Sequence, residues 1–272
     1  MPAKFTDEVF VRDKLTIAIS FSLLTLALVS WAATYYLMPI VMASQSGMMS
    51  FGVGAIVSSF SFTSISIFES VWIIGMVAMM FPAMLPIVLF YTKIASHEEP
   101  RPLIAKTIGT FFFLGGYLAI YSPLGIVSFA CVWIAINFSE SLSQVSLLSI
   151  IAPAGILLVA GVYQFTPIKS SCLSKCVSPI GFFALHFKTG LAGALRMGVQ
   201  HGVYCVACCW AFMLVMLAVG AMSIPIMAVL AGVIALEKVL LKGAVWFNRL
   251  VGVSFLTLGI VVLAFPSVLT MV

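Results

Sequence analysis

Apolar runs of about twenty residues recur along this chain, near positions 15–38, 70–93, 105–134, 146–166, 198–221, 224–241 and 250–271. A hydrocarbon layer ~30 Å thick demands helices of that length, because every backbone polar group inside it must be paired within its own segment. Only 8% of the 272 residues are charged and 63% are hydrophobic, against about 25% charged in a soluble globular domain. The expected fold is therefore all-α, a polytopic transmembrane helix bundle of about seven spans in a cell membrane. The sixth run is the shortest and ends in Glu237-Lys238. The first, preceded by Arg12 and Lys14, is too long for the apolar region of a secretory leader and reads as a retained span.

The basic residues orient the bundle. All 13 fall in four groups: Lys4, Arg12 and Lys14; Lys93, Arg101 and Lys106; Lys169, Lys175, Lys188 and Arg196; Lys238, Lys242 and Arg249. These are alternate connections, and those near 39–69, 135–145 and 221–224 carry none. The positive-inside rule then puts the N-terminus in the cytoplasm and the C-terminus outside. The net charge of +5 is thus a matter of orientation and membrane lipid rather than of nucleic acid.

No linker separates folded units, so residues 1–272 read as a single transmembrane helical domain. The outer segment 39–69, apolar and rich in Ser, Gly, Met and Phe, is expected to lie on the membrane surface or re-enter it. The inner connection 167–197 contains Pro167, Pro179 and a mildly amphipathic stretch, Phe182 to Leu195, expected at the interface.

The fifth run carries His201, Cys205, Cys208 and Cys209. At ~100° per residue all four fall within an arc of ~100° on one face. Pairs three and four apart can aim at a common point beside the helix. A single intramembrane cysteine is ordinarily a small apolar residue, and a single histidine a satisfied polar group between helices. Four on one arc shift the balance toward a soft-metal site. From His201 to Cys209 the rise is ~12 Å, so one ion must use neighbouring members of the stripe plus ligands from other helices. Gly198 and Gly202 on the same helix form a GxxxG pair, which permits close approach of another helix.

Three further groups are candidates. Met76, Met79 and Met80 share a face of the second run, just before Pro82 and Pro86, where backbone carbonyls lose their donors and a kink is expected. Thioether sulfur suits Cu(I), although methionine also serves as a flexible core filler. Glu237 is expected at a depth similar to His201, where it orients that imidazole, completes a site, or forms an interfacial pair with Lys238. Cys172 and Cys176, four apart in the inner connection, form a separate two-thiol site kept reduced by the cytoplasm.

Thiols and thioethers with few carboxylates favour Cu(I), with Zn²⁺ the alternative that would use the His and Cys set without Met. Mg²⁺, Ca²⁺ and Mn²⁺ want oxygen-rich cages. There is no phosphate-binding glycine loop, no HExxH and no carboxylate pair in a plausible cleft. Cys205-x-x-Cys208 has the form of a redox pair, but no outer loop supplies a second one.

With these residues in view, the chain resembles the bacterial and archaeal family of predicted metal-binding integral membrane proteins. The matching segments are Trp72 to Pro86, Gly161 to Lys169 with Tyr163-Gln164-Phe-Thr166-Pro167, then Cys172, Cys176 and Ser178-Pro179, Gly193 to Trp210, and Glu237-Lys238, a core of about 70–240. Val206-Ala207 and Val177 depart from the family pattern without removing a candidate ligand. The resemblance implies metal binding. The expected function is Cu(I) binding, transfer or transport, with a copper donor as partner. The alternative is a non-catalytic accessory subunit of a larger membrane complex such as a copper-dependent enzyme, and a membrane thiol oxidoreductase stands third.

Overall fold

The computed structural model describes residues 14–42, 60–98, 103–141, 145–220 and 223–265. They form α1 Lys14–Met42, α2 Phe62–Glu98, α3 Leu103–Ser141, α4 Val145–Gln164, α5 Pro167–Val177, α6 Pro179–His186, α7 Gly190–Gly220, α8 Ile224–Ala235, a π-helical turn Leu236–Leu240 and α9 Val245–Ala264. The fold is all-α among the described residues, as the apolar runs predict. Residues 43–59, most of the segment expected to lie on the outer surface, fall outside the described residues. So do Lys4, Arg12, Arg101 and the end of the last run.

Five helices, α1, α2, α3, α7 and α9, are long and apolar enough to cross a membrane, and α4 with α5 makes a sixth if that pair, bent by 69°, counts as one span. The run 224–241 departs from the expected continuous helix. It consists of 12 α-helical residues followed by five in a π turn, because Glu237 and Lys238 at its end are drawn into the protein interior instead of reaching water.

Helix α7 is the axis of the site, and glycines set its distance from α3. A Cβ at Gly198 would collide with the carbonyl of Phe113, and one at Gly116 with the carbonyl of Leu195. A Cβ at Gly202 would lie 3.1 Å from the oxygen of Tyr117. The pairings 198 with 113 and 202 with 117 make α3 and α7 parallel, and the expected GxxxG approach is realised here. Helices α4 and α9 are antiparallel, since a Cβ at Gly161 would lie 3.0 Å from Gly252 O and one at Gly259 3.2 Å from Ala154 O. Helix α2 packs between α1 and α3 and also touches α8, while α5 lies against α7. Helix α2 continues through Pro82 and Pro86.

The connection 167–197, expected as an interfacial loop, is instead two short helices and the first turns of α7. Each short helix has a local reason to start. Thr166 caps α5 by accepting from Lys169 N at 3.3 Å, and Ser178 caps α6 by accepting from Gly181 N at 3.2 Å, each with proline at the first helical position. The chain re-enters α7 at Gly190, whose φ of +81° few other residues adopt. The bend between α4 and α5 folds Cys176 back toward the middle of α7, so it is a core residue at 4% exposure.

Candidate metal centre

Cys205 and Cys208 from α7 and Cys176 from α5 converge, with their three sulfur atoms all within 4.8 Å of one another. Each is buried. A metal–thiolate bond of ~2.3 Å would hold three trigonal sulfurs ~4 Å apart, a small closure from this spacing. The sulfur of Cys209 lies 3.4 Å from that of Cys208 and extends the cluster to a fourth thiol. Cys208 Sγ also donates to Cys205 O, at 3.2 Å.

Around the thiols sits a layer of charge that an apolar interior would not otherwise hold. Lys238 Nζ donates to Cys205 Sγ at 2.9 Å. Lys169, fully buried, pairs with Glu237 Oε1 at 2.7 Å and donates to Cys208 O at 2.7 Å. Its ammonium also lies 4.8 Å above the Phe212 ring. Glu237 Oε2 is buried with no hydrogen-bond partner among the described residues. Two cations and one carboxylate therefore surround four thiols, and Lys238 is the cation left to face sulfur.

Glu237 and Lys238 are adjacent in the π turn and both are buried, and π turns of this kind are frequent at functional sites. The turn closes through Gly243 N donating to Glu237 O at 2.8 Å, with Lys242 and Gly243 at φ +46° and +77°.

Two tyrosines complete the wall on α3. Tyr117 and Tyr121, one turn apart and fully buried, have hydroxyls 3.1 Å from each other, and the Tyr117 hydroxyl lies 3.1 Å from Cys205 Sγ. Trp72 Nε1 on α2 donates to Tyr121 O at 3.1 Å. On the opposite side, Tyr163 Oη donates to Ala207 O at 2.5 Å and packs edge-on to Trp210.

The remaining expected residues divide. His201 is buried against Phe113, Tyr117 and Phe182, and its Nδ1 has no hydrogen-bond partner among the described residues. It does not join the cysteines in a set whose donor atoms all lie within 4.8 Å. Glu237 neither orients His201 nor pairs with Lys238, because Lys169 occupies it. Cys176 joins the α7 thiols, while Cys172, one turn earlier on α5, is half-buried at the edge. Met76, Met79 and Met80 are all buried on α2, in the interior face of that helix.

Lys169, Lys238, Tyr117 and Tyr121 were not expected at the site. Both lysines belong to the basic groups that mark the cytoplasmic side, although Lys169 ends the Tyr-Gln-x-Thr-Pro-x-Lys segment and Lys238 follows Glu237 in the segments that carry the family resemblance. The tyrosines carried a readable signal: phenols four apart, Tyr117 and Tyr121, in an otherwise apolar helix.

No curated protein and no solved structure matches this chain. A family model described as a copper chaperone, PpoB2, matches residues 70–262, well over half of the sequence, and its range contains all four clustered thiols, both buried lysines and Glu237. The chain belongs to this copper chaperone family.

Proposed function

We propose that this is a multi-pass membrane protein that binds Cu(I) at the cluster of Cys176, Cys205, Cys208 and Cys209 and hands it on. The observation that carries the reading is the convergence of buried thiols from two helices inside a bundle of membrane-spanning length. Thiolate is a soft ligand suited to Cu(I). Two thiolates around Cu⁺ leave one net negative charge, which the Lys238 ammonium beside Cys205 offsets, so the filled site stays neutral in a medium where isolated charge is costly. Zn²⁺ prefers four ligands in a tetrahedron, whereas three thiols, Cys176, Cys205 and Cys208, form the set whose sulfurs all lie within 4.8 Å of one another. The Met76, Met79 and Met80 stripe is a weaker, neutral donor set that assists transfer rather than retention.

Purified full-length protein dialysed against a competing Cu(I) chelator should keep copper close to stoichiometric with the chain. The variant with both Cys205→Ser and Cys208→Ser should lose it, whereas Met76→Leu with Met80→Leu should keep most of it. Copper per chain by mass spectrometry reads both, and retention by the double cysteine variant would return the thiols to a packing role.

The parallel α3 and α7 and the antiparallel α4 and α9 fit alternating crossings, and the basic residues alone supply the absolute sense, with the N-terminus cytoplasmic and the C-terminus outside. Single cysteines introduced at Ser44 and Ser96 should be labelled from opposite faces of intact cells or vesicles. Labelling of both from one face would rule this topology out.

A further inference from the structure

The thiols of α5 and α7 form a gradient of burial. Cys172 is half-buried at the edge of the bundle. One turn along the same helix, Cys176 is 4% exposed, and Cys205, Cys208 and Cys209 are at 1% or less. Residues four apart on a helix lie side by side, with Cβ atoms ~5–6 Å apart, so Cys172 and Cys176 can grip one ion between them. Cys176 in turn shares a sulfur triangle with Cys205 and Cys208. The 69° bend after α4 is what lays this ladder from the edge to the centre, and the closing turn at Gly243, packed against Leu173 and Val177, holds α5 in place.

We propose that Cys172 is the entry ligand of the copper site, the thiol that takes Cu(I) from its donor and passes it to Cys176. This rests on the reading of the cluster as a Cu(I) site. The transfer is ligand exchange at constant oxidation state. A Cu–S bond to the Cys172 thiolate forms as the bond to the donor's sulfur or nitrogen breaks. A bond to Cys176 then forms as that to Cys172 breaks, and the proton that Cys176 gives up passes to Cys172. Copper stays Cu⁺ throughout, so neither oxidant nor reductant is needed. Cys172 acts on the rate of filling, and the deeper thiols set how tightly copper is held.

The test is loading kinetics of the detergent-solubilised full chain, in a Cys131→Ser background because the Cys131 thiol is exposed. Cu(I) bound to bicinchoninate is the donor, and its loss of colour follows the transfer. Cys172→Ser should load about tenfold or more slowly, the loss expected when one positioned group leaves a stepwise exchange, yet reach the same final copper per chain. Folded protein with Cys172 intact, alkylated by N-ethylmaleimide before loading, should behave identically; this arm does not depend on the variant folding. One label per chain is expected. Loading at the parental rate after either change, failure of Cys172 to react, or a fall in final copper content would each overturn the assignment. If the unmodified chain retains no copper at all, the Cu(I) site itself falls, an outcome distinct from normal retention with unaltered loading in Cys172→Ser.

Discussion

Replacing Lys169 by methionine is expected to destabilise the protein by about 3–5 kcal/mol, the usual consequence of removing one partner of a buried ion pair. Lys169 is fully buried, and its ammonium is the only partner of the equally buried Glu237 carboxylate among the described residues. Methionine keeps the length and apolar character of the side chain but leaves Glu237 charged without a counterion and removes the lysine donor from the carbonyl of Cys208. The double variant Lys169→Met with Glu237→Leu should recover most of the loss, since an apolar pair of similar volume often equals a buried salt bridge in stability. Chemical unfolding in detergent, followed by circular dichroism, measures both. Equal destabilisation of the single and double variants would show that the pair is not what holds α5 and the π turn together.

The seam between α3 and α7 predicts an effect of similar size from a single methyl group. Gly198→Ala places its Cβ against the Phe113 carbonyl, a backbone atom that cannot rotate away, so the helices must separate or shift. The expected cost is about 3 kcal/mol, at the upper end for overpacking, and Gly116→Ala should match it. Gly115, the immediate neighbour, supplies the control: nothing lies within 4 Å of an added Cβ there. Gly115→Ala should be neutral or stabilising by up to about 1 kcal/mol through helix propensity. Because Tyr117 reaches Cys205 across the same seam, the Gly198 variant should also weaken copper retention. Thermal unfolding of the three variants decides the matter, and similar behaviour of Gly115→Ala and Gly116→Ala would contradict the packing described.

How much of this was legible beforehand depends on whether the information is local. Apolar runs of membrane length are local, and helices lie at all seven. The stripe from His201 to Cys209 follows from helical periodicity alone, and its cysteines do face the interior. The partners of those cysteines are set by events the chain does not announce. Cys176 reads as half of a C-x3-C site until the bend at Thr166-Pro167 carries it to α7. Glu237 beside Lys238 reads as a local pair, because nothing in Leu-Glu-Lys-Val-Leu marks a π turn with both side chains buried. Lys169 and Glu237 are 68 positions apart and become partners only through packing. His201 shows the limit from the other side, since the correct face of a helix still left it among aromatic rings.

The account stands on copper being held by these thiols, and X-ray absorption at the copper K-edge tests that most directly. Protein loaded with one Cu(I) per chain should show a first shell of two or three sulfurs with no nitrogen or oxygen, and that signal should vanish in the variant carrying Cys205→Ser and Cys208→Ser. A nitrogen- or oxygen-dominated shell, or a sulfur shell that survives in the double variant, would contradict it.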